Sequence, residues 1–329
     1  MRIAPFDHER ATGAEQDAWY ALMLACHRAD QPEYPEPTRH TVLARLASPG
    51  PARLRLWVAA EDGGPLLGAV VLVLYADQNA HLATIAPRVH PDARRRGTGR
   101  ALAETAMEAA RAEGRRSVVA DSREGSAGDA LATALGFTAA LAEVNNLLRL
   151  AETDRDAVRG WAAGAEARTE GMRLVRWQGH VPAELMDSYL AARGGMDDMP
   201  TGELDLAPER PTPEIIREVE DAIAKAGNRL YVVAPQDEAT GALAGYTSVH
   251  VHPDDPWAEV GSTTVLPAYR GRGLGLWIKA AMIEWMATAE PQLTAYSTGN
   301  AAGNVHMRRI NDRLGYRVLD SWHAWQRQL

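Results

Sequence analysis

Cysteine is nearly missing: Cys26 stands alone among 329 residues. No internal disulfide can form, and no thiolate metal cluster can be assembled. Long apolar runs are missing too. The longest covers residues 66–76, about half of the roughly 20 positions that a membrane-spanning helix needs. The chain opens Met-Arg-Ile-Ala-Pro-Phe-Asp-His-Glu, without the apolar stretch of a secretory leader. A cytoplasmic protein with no membrane partner is expected. Lysine occurs only as Lys225 and Lys279, and arginine supplies the rest of the 35 basic residues. That bias reads as GC-rich codon usage. A basic excess is also missing, since the net charge is −8. Nucleic acid is therefore not expected as a partner, because its binding needs a net basic face. The acidic charge is concentrated after residue 164, which suits a cationic small molecule.

What is present is an ordinary globular composition, 46% hydrophobic and 24% charged, over a length that suits two domains. Self-comparison divides the chain. Val89-His90-Pro91-Asp92-Ala93-Arg94-Arg95-Arg96-Gly97-Thr98-Gly99 returns 176 residues later as Val265-Leu266-Pro267-Ala268-Tyr269-Arg270-Gly271-Arg272-Gly273-Leu274-Gly275. Leu135-Gly136-Phe137 returns as Leu314-Gly315-Tyr316, offset by 179. Two matches at nearly one offset indicate a duplicated domain. The expected division is 1–150, a linker at 151–170, and 171–329.

Hydrophobic pattern and turn residues predict strands at 54–60, 66–75, 82–89, 117–121 and 144–150, with helices at 97–113 and 128–135. In the second half, strands are predicted at 229–234, 242–251, 259–265, 292–296 and from 316. Helices are predicted over the Leu274–Ile278–Ala281–Met282–Trp285 face and at 304–314. The linker is partly helical. Each half reads as an α+β domain, a mixed sheet flanked by helices.

Strand, Arg-x-x-Gly-x-Gly, helix is an anion site built from backbone. The glycines permit close approach and a sharp turn, and the free amides of the first helical turn attract negative charge. Neighbouring arginines add charged donors. A pyrophosphate fits. No Gly-Lys-Ser/Thr follows, so this is not a Walker loop. No third glycine or alanine falls at the dinucleotide-fold spacing either.

Val-x-Pro-x-x-Arg-x-x-Gly-x-Gly, a helix, a strand, then Leu-Gly-aromatic resembles the GNAT family of acetyl-CoA-dependent N-acetyltransferases. The likeness covers both halves. The run from Thr298 to Tyr316 is similar to an actinobacterial tandem group. The resemblance implies two mainly antiparallel sheets, each with a V-shaped splay between its fourth and fifth strands where acetyl-CoA lies. The cofactor contacts it implies are Val265, Arg270, Gly271, Arg272, Gly273, Leu274 and Gly275, and in the first half Arg94, Arg95, Arg96, Gly97, Thr98 and Gly99. Asn304 takes the place of the family's pantetheine-binding Asn. Asn311 stands where the family has its proton-donating Tyr, and the first half has Gly125 and Ala132 at these two places. Tyr316, Tyr269 and Tyr296 are the remaining candidate acids, and Tyr316 is preferred.

The chemistry asks for more. Only a neutral amine attacks a thioester, and a lysine-like amine titrates near 10.4, so a base must take its proton. Glu259, at the start of the splayed strand, is the candidate base, with Asp254 and Asp255 as alternatives. Its six-residue spacing from Val265 puts both on one face of an ideal strand. The equivalent first-half strand has no carboxylate, and Pro87 removes an amide donor. Catalysis is therefore expected in the second half, with the first half structural or weakly coenzyme-binding. Met196-Asp197-Asp198-Met199 is a candidate ammonium site. His250 and His252 lack a third ligand for a metal.

The expected activity is acetyl transfer by direct attack on acetyl-CoA by a small-molecule amine. The acceptor classes are aminoglycoside-like, polyamine, amino acid derivative, or a mycothiol-synthase-like cysteinyl amino-sugar. A non-catalytic CoA sensor or scaffold is the rival. The expected assembly is a monomer or homodimer.

Overall fold

The computed structural model describes residues 1–46, 52–76, 78–164, 167–208 and 210–329. In chain order the elements are β1 (Arg2–Pro5), α1 (Gly13–Asp30), α2 (Arg39–Ala44), β2 (Arg53–Ala60), β3 (Leu66–Leu74), β4 (Leu82–Val89), α3 (Thr98–Ala112), β5 (Ser117–Arg123), α4 (Ala127–Ala134) and β6 (Thr138–Arg149). There follow α5 (Arg155–Ala162), β7 (Met172–Gln178), α6 (Met186–Arg193), α7 (Pro213–Lys225), β8 (Arg229–Asp237), β9 (Gly245–Val251), β10 (Trp257–Val265), α8 (Leu274–Ala289), β11 (Ala295–Ala301), α9 (Val305–Leu314) and β12 (Arg317–Gln328). The expected linker helix is α5, and residues 165 and 166 of that stretch lie outside the described residues.

Contacts gather the chain into two compact units. Unit 1 holds Met1–Ala142, Gly202–Ala207 and Trp322–Leu329; unit 2 holds Glu143–Thr201 and Pro208–Ser321. This differs from a contiguous division at 150 and 171. The physical reason is strand pairing. Residues 143–149 of β6 run antiparallel to β11 inside unit 2. Residues 322–328 of β12 run antiparallel to β5 inside unit 1. Each unit's sheet is thus closed by a segment from the far side of the sequence boundary. Apolar burial holds them there: Leu148 joins the unit 2 core beside Tyr296 and Tyr316, and Trp325 joins the unit 1 core beside Leu102 and Phe137.

Unit 1 is ordered β1-β2-β3-β4-β5-β12, antiparallel except for β4 and β5. Those two pair in parallel over three positions only, Leu82 with Ser117, Ala83 with Val118 and Thr84 with Val119. Beyond Thr84 they part. One sheet face, with Val70, Leu72, Ala83, Ile85 and Val118, packs on Leu102, Ala106 and Met107 of α3. The other, with Leu56 and Ala69, packs on Trp19 and Leu22 of α1 and Val42 of α2. This is period-two alternation with both faces covered.

Unit 2 repeats the plan as β6-β11-β10-β9-β8-β7. Its parallel pair, β10 with β11, also lasts three positions, ending at Glu259 with Ser297. Tyr231, Val233, Val249 and Val251 face α8, while Leu230, Val232, Ala234 and Tyr246 face the side that carries Tyr189 of α6 and Ile216 of α7. A mixed α+β sheet with a splayed parallel pair is present in both units.

Candidate coenzyme clefts and active site

Six described helices begin under a polar side-chain cap: Thr12, Thr38, Ser126, Asp154, Thr212 or Asn304. The helices that follow the repeated loops do not. α3 starts at Gly97 (φ 86°) and α8 at Gly273 (φ 79°), both left-handed, and neither cap residue makes a side-chain hydrogen bond. A side chain in that region is strained, which is why glycine recurs there. The first-turn amides are left for a ligand.

The first arginine of each loop shapes it. Arg94 donates Nε to the Val89 carbonyl (3.1 Å) and pairs with Asp30 through both terminal nitrogens (2.8 and 2.7 Å). Arg270 donates Nε to the Val265 carbonyl (2.9 Å) and pairs with Asp198 (2.8 Å). The same guanidinium thus ties the strand end to an aspartate in both units. Asp198, expected at an ammonium site, is engaged here, and Asp197 pairs with Arg210 (2.7 Å). Arg95 adopts φ 62°, where unit 2 has Gly271 at 71°. The Arg95 and Arg96 side chains are exposed.

A cavity of about 600 Å³ opens in unit 1, a typical size for a small-molecule site. It touches the Gly97 loop, the parted strands (Ile85 to Val89 and Ala120 to Arg123), α1, α2 and α4. Ile85 and Ala120 point toward the α3 face, while Val71 and Leu46 pack with the α1 cluster. One cavity therefore passes through the sheet where β4 and β5 separate. Cys26 lies in its wall, 3% exposed, its thiol donating to the Val89 carbonyl (3.3 Å). Burial pushes that thiol up from its ordinary range, against the nearby Arg88 and Arg94, so it is held protonated and a poor nucleophile.

Asp121 is the carboxylate in this cavity that the sequence reading missed. It lies two residues past the last β4–β5 pair and lines the gap. The walls around it push its carboxyl up from the usual range, and Arg88 pulls partly against them. A single carboxylate in a seven-residue strand has no distinctive sequence pattern. Only the splay, which the family resemblance implied, would have singled it out.

In unit 2 polar side chains stand at the fork of β10 and β11. Ser297 and Thr298 hydroxyls on β11 reach the Ala258 and Val260 carbonyls on β10 (3.4 and 3.5 Å). Asn311 and Asn146 donate to Asn300 Oδ1 (2.7 and 3.3 Å). At the loop, Arg168 donates to the Gly271 carbonyl (2.7 Å) and Arg272 to the Arg168 and Glu170 carbonyls (3.1 Å each), while Gly271 and Gly273 stay exposed. Glu259 is exposed at the last β10–β11 pair, with His250 opposite on β9. Burial pushes His250 down from its ordinary range and Glu259 opposes this. A bulge between Val260 and Thr263 breaks the expected common face of Glu259 and Val265.

Asn304 caps α9 by accepting from the Met307 amide (3.1 Å). Leu274 is buried at the start of α8 and Gly275 lies against Ile310. Thr98, in the matching place of α3, is likewise buried, and Gly99 lines the unit 1 cavity. Tyr316 is 1% exposed in the core, with Lys279 over its ring at 5.1 Å. Burial pushes its hydroxyl up. A phenol enclosed in this way has no path to a leaving thiolate, so the preference for Tyr316 as proton donor finds no geometric basis. Asn311, at the family's Tyr position, is equally buried.

The comparisons agree with this architecture. The model of the acetyltransferase (GNAT) family matches twice, over residues 17–137 and 197–316. A mycothiol acetyltransferase of Mycolicibacterium paratuberculosis is 30% identical over 247 residues, covering 69% of this chain and 68% of the relative. Among solved structures, a tandem GNAT protein from the clavulanic acid biosynthesis pathway superposes with a TM-score of 0.81 at 29% identity, covering 99% of this chain and 98% of the other. A GCN5-related N-acetyltransferase from Sphaerobacter thermophilus shares the fold, with a TM-score of 0.68 at 16% identity over 99% and 95%. Two family matches, two splayed parallel pairs and two glycine-started helices make this chain a tandem member of the GNAT acetyltransferase family.

Proposed function

We propose that the chain moves the acetyl group of acetyl-CoA to the primary amine of a small molecule by direct attack, and that both co-substrates meet in the unit 1 cleft. The observation that carries this reading is the cavity of about 600 Å³, which runs from the uncapped start of α3 through the splay to the opposite sheet face. The residues present suit the coenzyme. The first-turn amides of α3 are disposed to take the pyrophosphate, with the Arg95 and Arg96 guanidinium groups alongside. The unpaired edges of β4 and β5 beyond Thr84 and Val119 offer backbone partners to the pantetheine arm. Acetyl-CoA supplies the activated thioester. The chain supplies position, and a carboxylate to receive the amine's proton. The protonated thiol of Cys26 favours attack by the acceptor itself over a covalent acetyl-enzyme.

A second reading places coenzyme binding and catalysis in unit 2, with unit 1 structural or weakly coenzyme-binding. It is favoured by Glu259, an exposed carboxylate beside His250 at the fork of β10 and β11. The mycothiol acetyltransferase relatives add a cysteinyl amino-sugar to the acceptors worth assaying.

Calorimetric titration with acetyl-CoA and a thiol-release assay over an amine panel separate the readings. Gly97→Val is expected to weaken coenzyme binding at least tenfold and abolish turnover, while Gly273→Val leaves both within about twofold. The reverse pattern moves the active cleft to unit 2. Binding without turnover on any amine would make the chain a coenzyme A sensor.

A further inference from the structure

The acceptor side of the unit 1 cavity has a definite chemistry. On the α1 face its wall is apolar: Trp19, Met23, Val42, Leu46, Ala69 and Val71 all line it. The charged groups lining the cavity are Arg88 from β4, His27 and Asp30 from α1, Arg45 from α2, Asp121 and Arg123 from β5, and Arg94, Arg95 and Arg100 from the loop and the start of α3. Of the two carboxylates among them, Asp30 is held by both terminal nitrogens of Arg94. Arg123 is held by Glu33 (2.8 Å) and by the Asp30 carbonyl (2.9 Å). The Asp121 side chain makes no hydrogen bond or ion pair among the described residues, while its backbone pairs opposite Ala324 of β12. Val118 and Ala120, its alternate neighbours, pack toward α3, so strand alternation turns Asp121 to the α1 side. A solvent-exposed carboxylate without a hydrogen-bonded side-chain partner, in the field of Arg88, therefore stands beside the apolar α1 wall at the point where the sheet opens.

We infer that this chamber receives an amine with an apolar body, such as an arylalkylamine, and that Asp121 binds its ammonium group and takes its proton. The inference rests on the unit 1 reading above. Transfer of one ammonium proton to the Asp121 carboxylate frees the nitrogen lone pair. The lone pair forms the N–C bond at the acetyl carbonyl carbon, and the C–S bond breaks. The departing sulfur receives one of the two protons left on nitrogen through solvent, the amide keeps the other, and Asp121 releases its own to water. The products are the amide and the free thiol, with one proton lost overall. The walls that push the Asp121 carboxyl up make it a stronger base than a free aspartate. A polyamine or an amino-sugar would place further charges or hydroxyls against Met23, Val42 and Val71, where they would find no partner.

The test uses the full chain, with phenethylamine, spermidine and glucosamine as probes and acetyl-CoA affinity measured separately by calorimetry. The expected kcat/KM for phenethylamine exceeds that for either polar amine by at least tenfold. Asp121→Asn is expected to lower kcat by about a hundredfold at neutral pH, less at pH 10 where the free amine is abundant, with coenzyme affinity within twofold of wild type. Met23→Gln is expected to raise KM for phenethylamine about tenfold with kcat nearly unchanged. If the coenzyme binds and Gly97→Val abolishes that binding, but spermidine or glucosamine is preferred or Asp121→Asn retains full rate at neutral pH, the inference is overturned while the unit 1 reading stands. If Gly97→Val leaves coenzyme binding intact, the reading beneath it falls.

Discussion

Lys279 shows how one side chain can tax a core. It is 3% exposed in α8, and the ring of Tyr316 at 5.1 Å is its cation–π partner. Burial pushes its ammonium group down from 10.5 to about 7. In the unfolded chain the lysine titrates at its ordinary value. Between about 7 and 10.5 the unfolded chain therefore holds the extra proton, and stability rises with pH across that window. Below pH 7 the burden is constant, on the order of a few kcal/mol, partly offset by the ring. Lys279→Met, which keeps the volume, is expected to raise the urea midpoint at pH 7 and to flatten the rise between pH 7 and 9.5. An unchanged midpoint with the same pH slope would show that the ammonium group is solvated. The sequence displayed Lys279 as one of only two lysines, but its setting follows from the helical face of α8 and from the position of Tyr316 behind it. The same holds for Asp121. Its residue type was visible, while its role depends on where two strands diverge.

At the scale of elements, the loop and helix pairs were legible because they combine glycine at positive φ with a fixed strand before and an apolar helix after. The repeated strand-loop-helix therefore located the glycine-started helix of each unit. What lines each fork was not legible, because it depends on which side chains meet there: Ser297 and Thr298 in unit 2, and in unit 1 the small Ala86 and Ala120 beside Pro87. Gly68 is a second case. In the sequence it interrupts the apolar run at 66–76. In the fold it lets β3 pass under α3, since a β-carbon there would lie 2.8 Å from the Arg88 carbonyl and 2.9 Å from the Leu102 side chain. Gly68→Ala is expected to cost about 1–3 kcal/mol, read as a lower urea midpoint with unchanged slope. A neutral result would mean that β3 and α3 are loosely packed.

At the scale of the molecule, duplication was readable and strand partnership was not. The segments 143–149 and 322–328 both carry strand-like alternation. Nothing in that pattern states which sheet a strand closes, and each closes the sheet of the other half of the sequence. One consequence bears on function, because Trp322 and Trp325 from the last strand stand in the wall of the unit 1 cavity. The proposed seat of the chemistry is unit 1. The direct measurement is hydrogen exchange on the full chain, with and without acetyl-CoA, followed at amides 97–101 and 273–277. Protection is expected at 97–101, with little change at 273–277. Protection confined to 273–277 would contradict it.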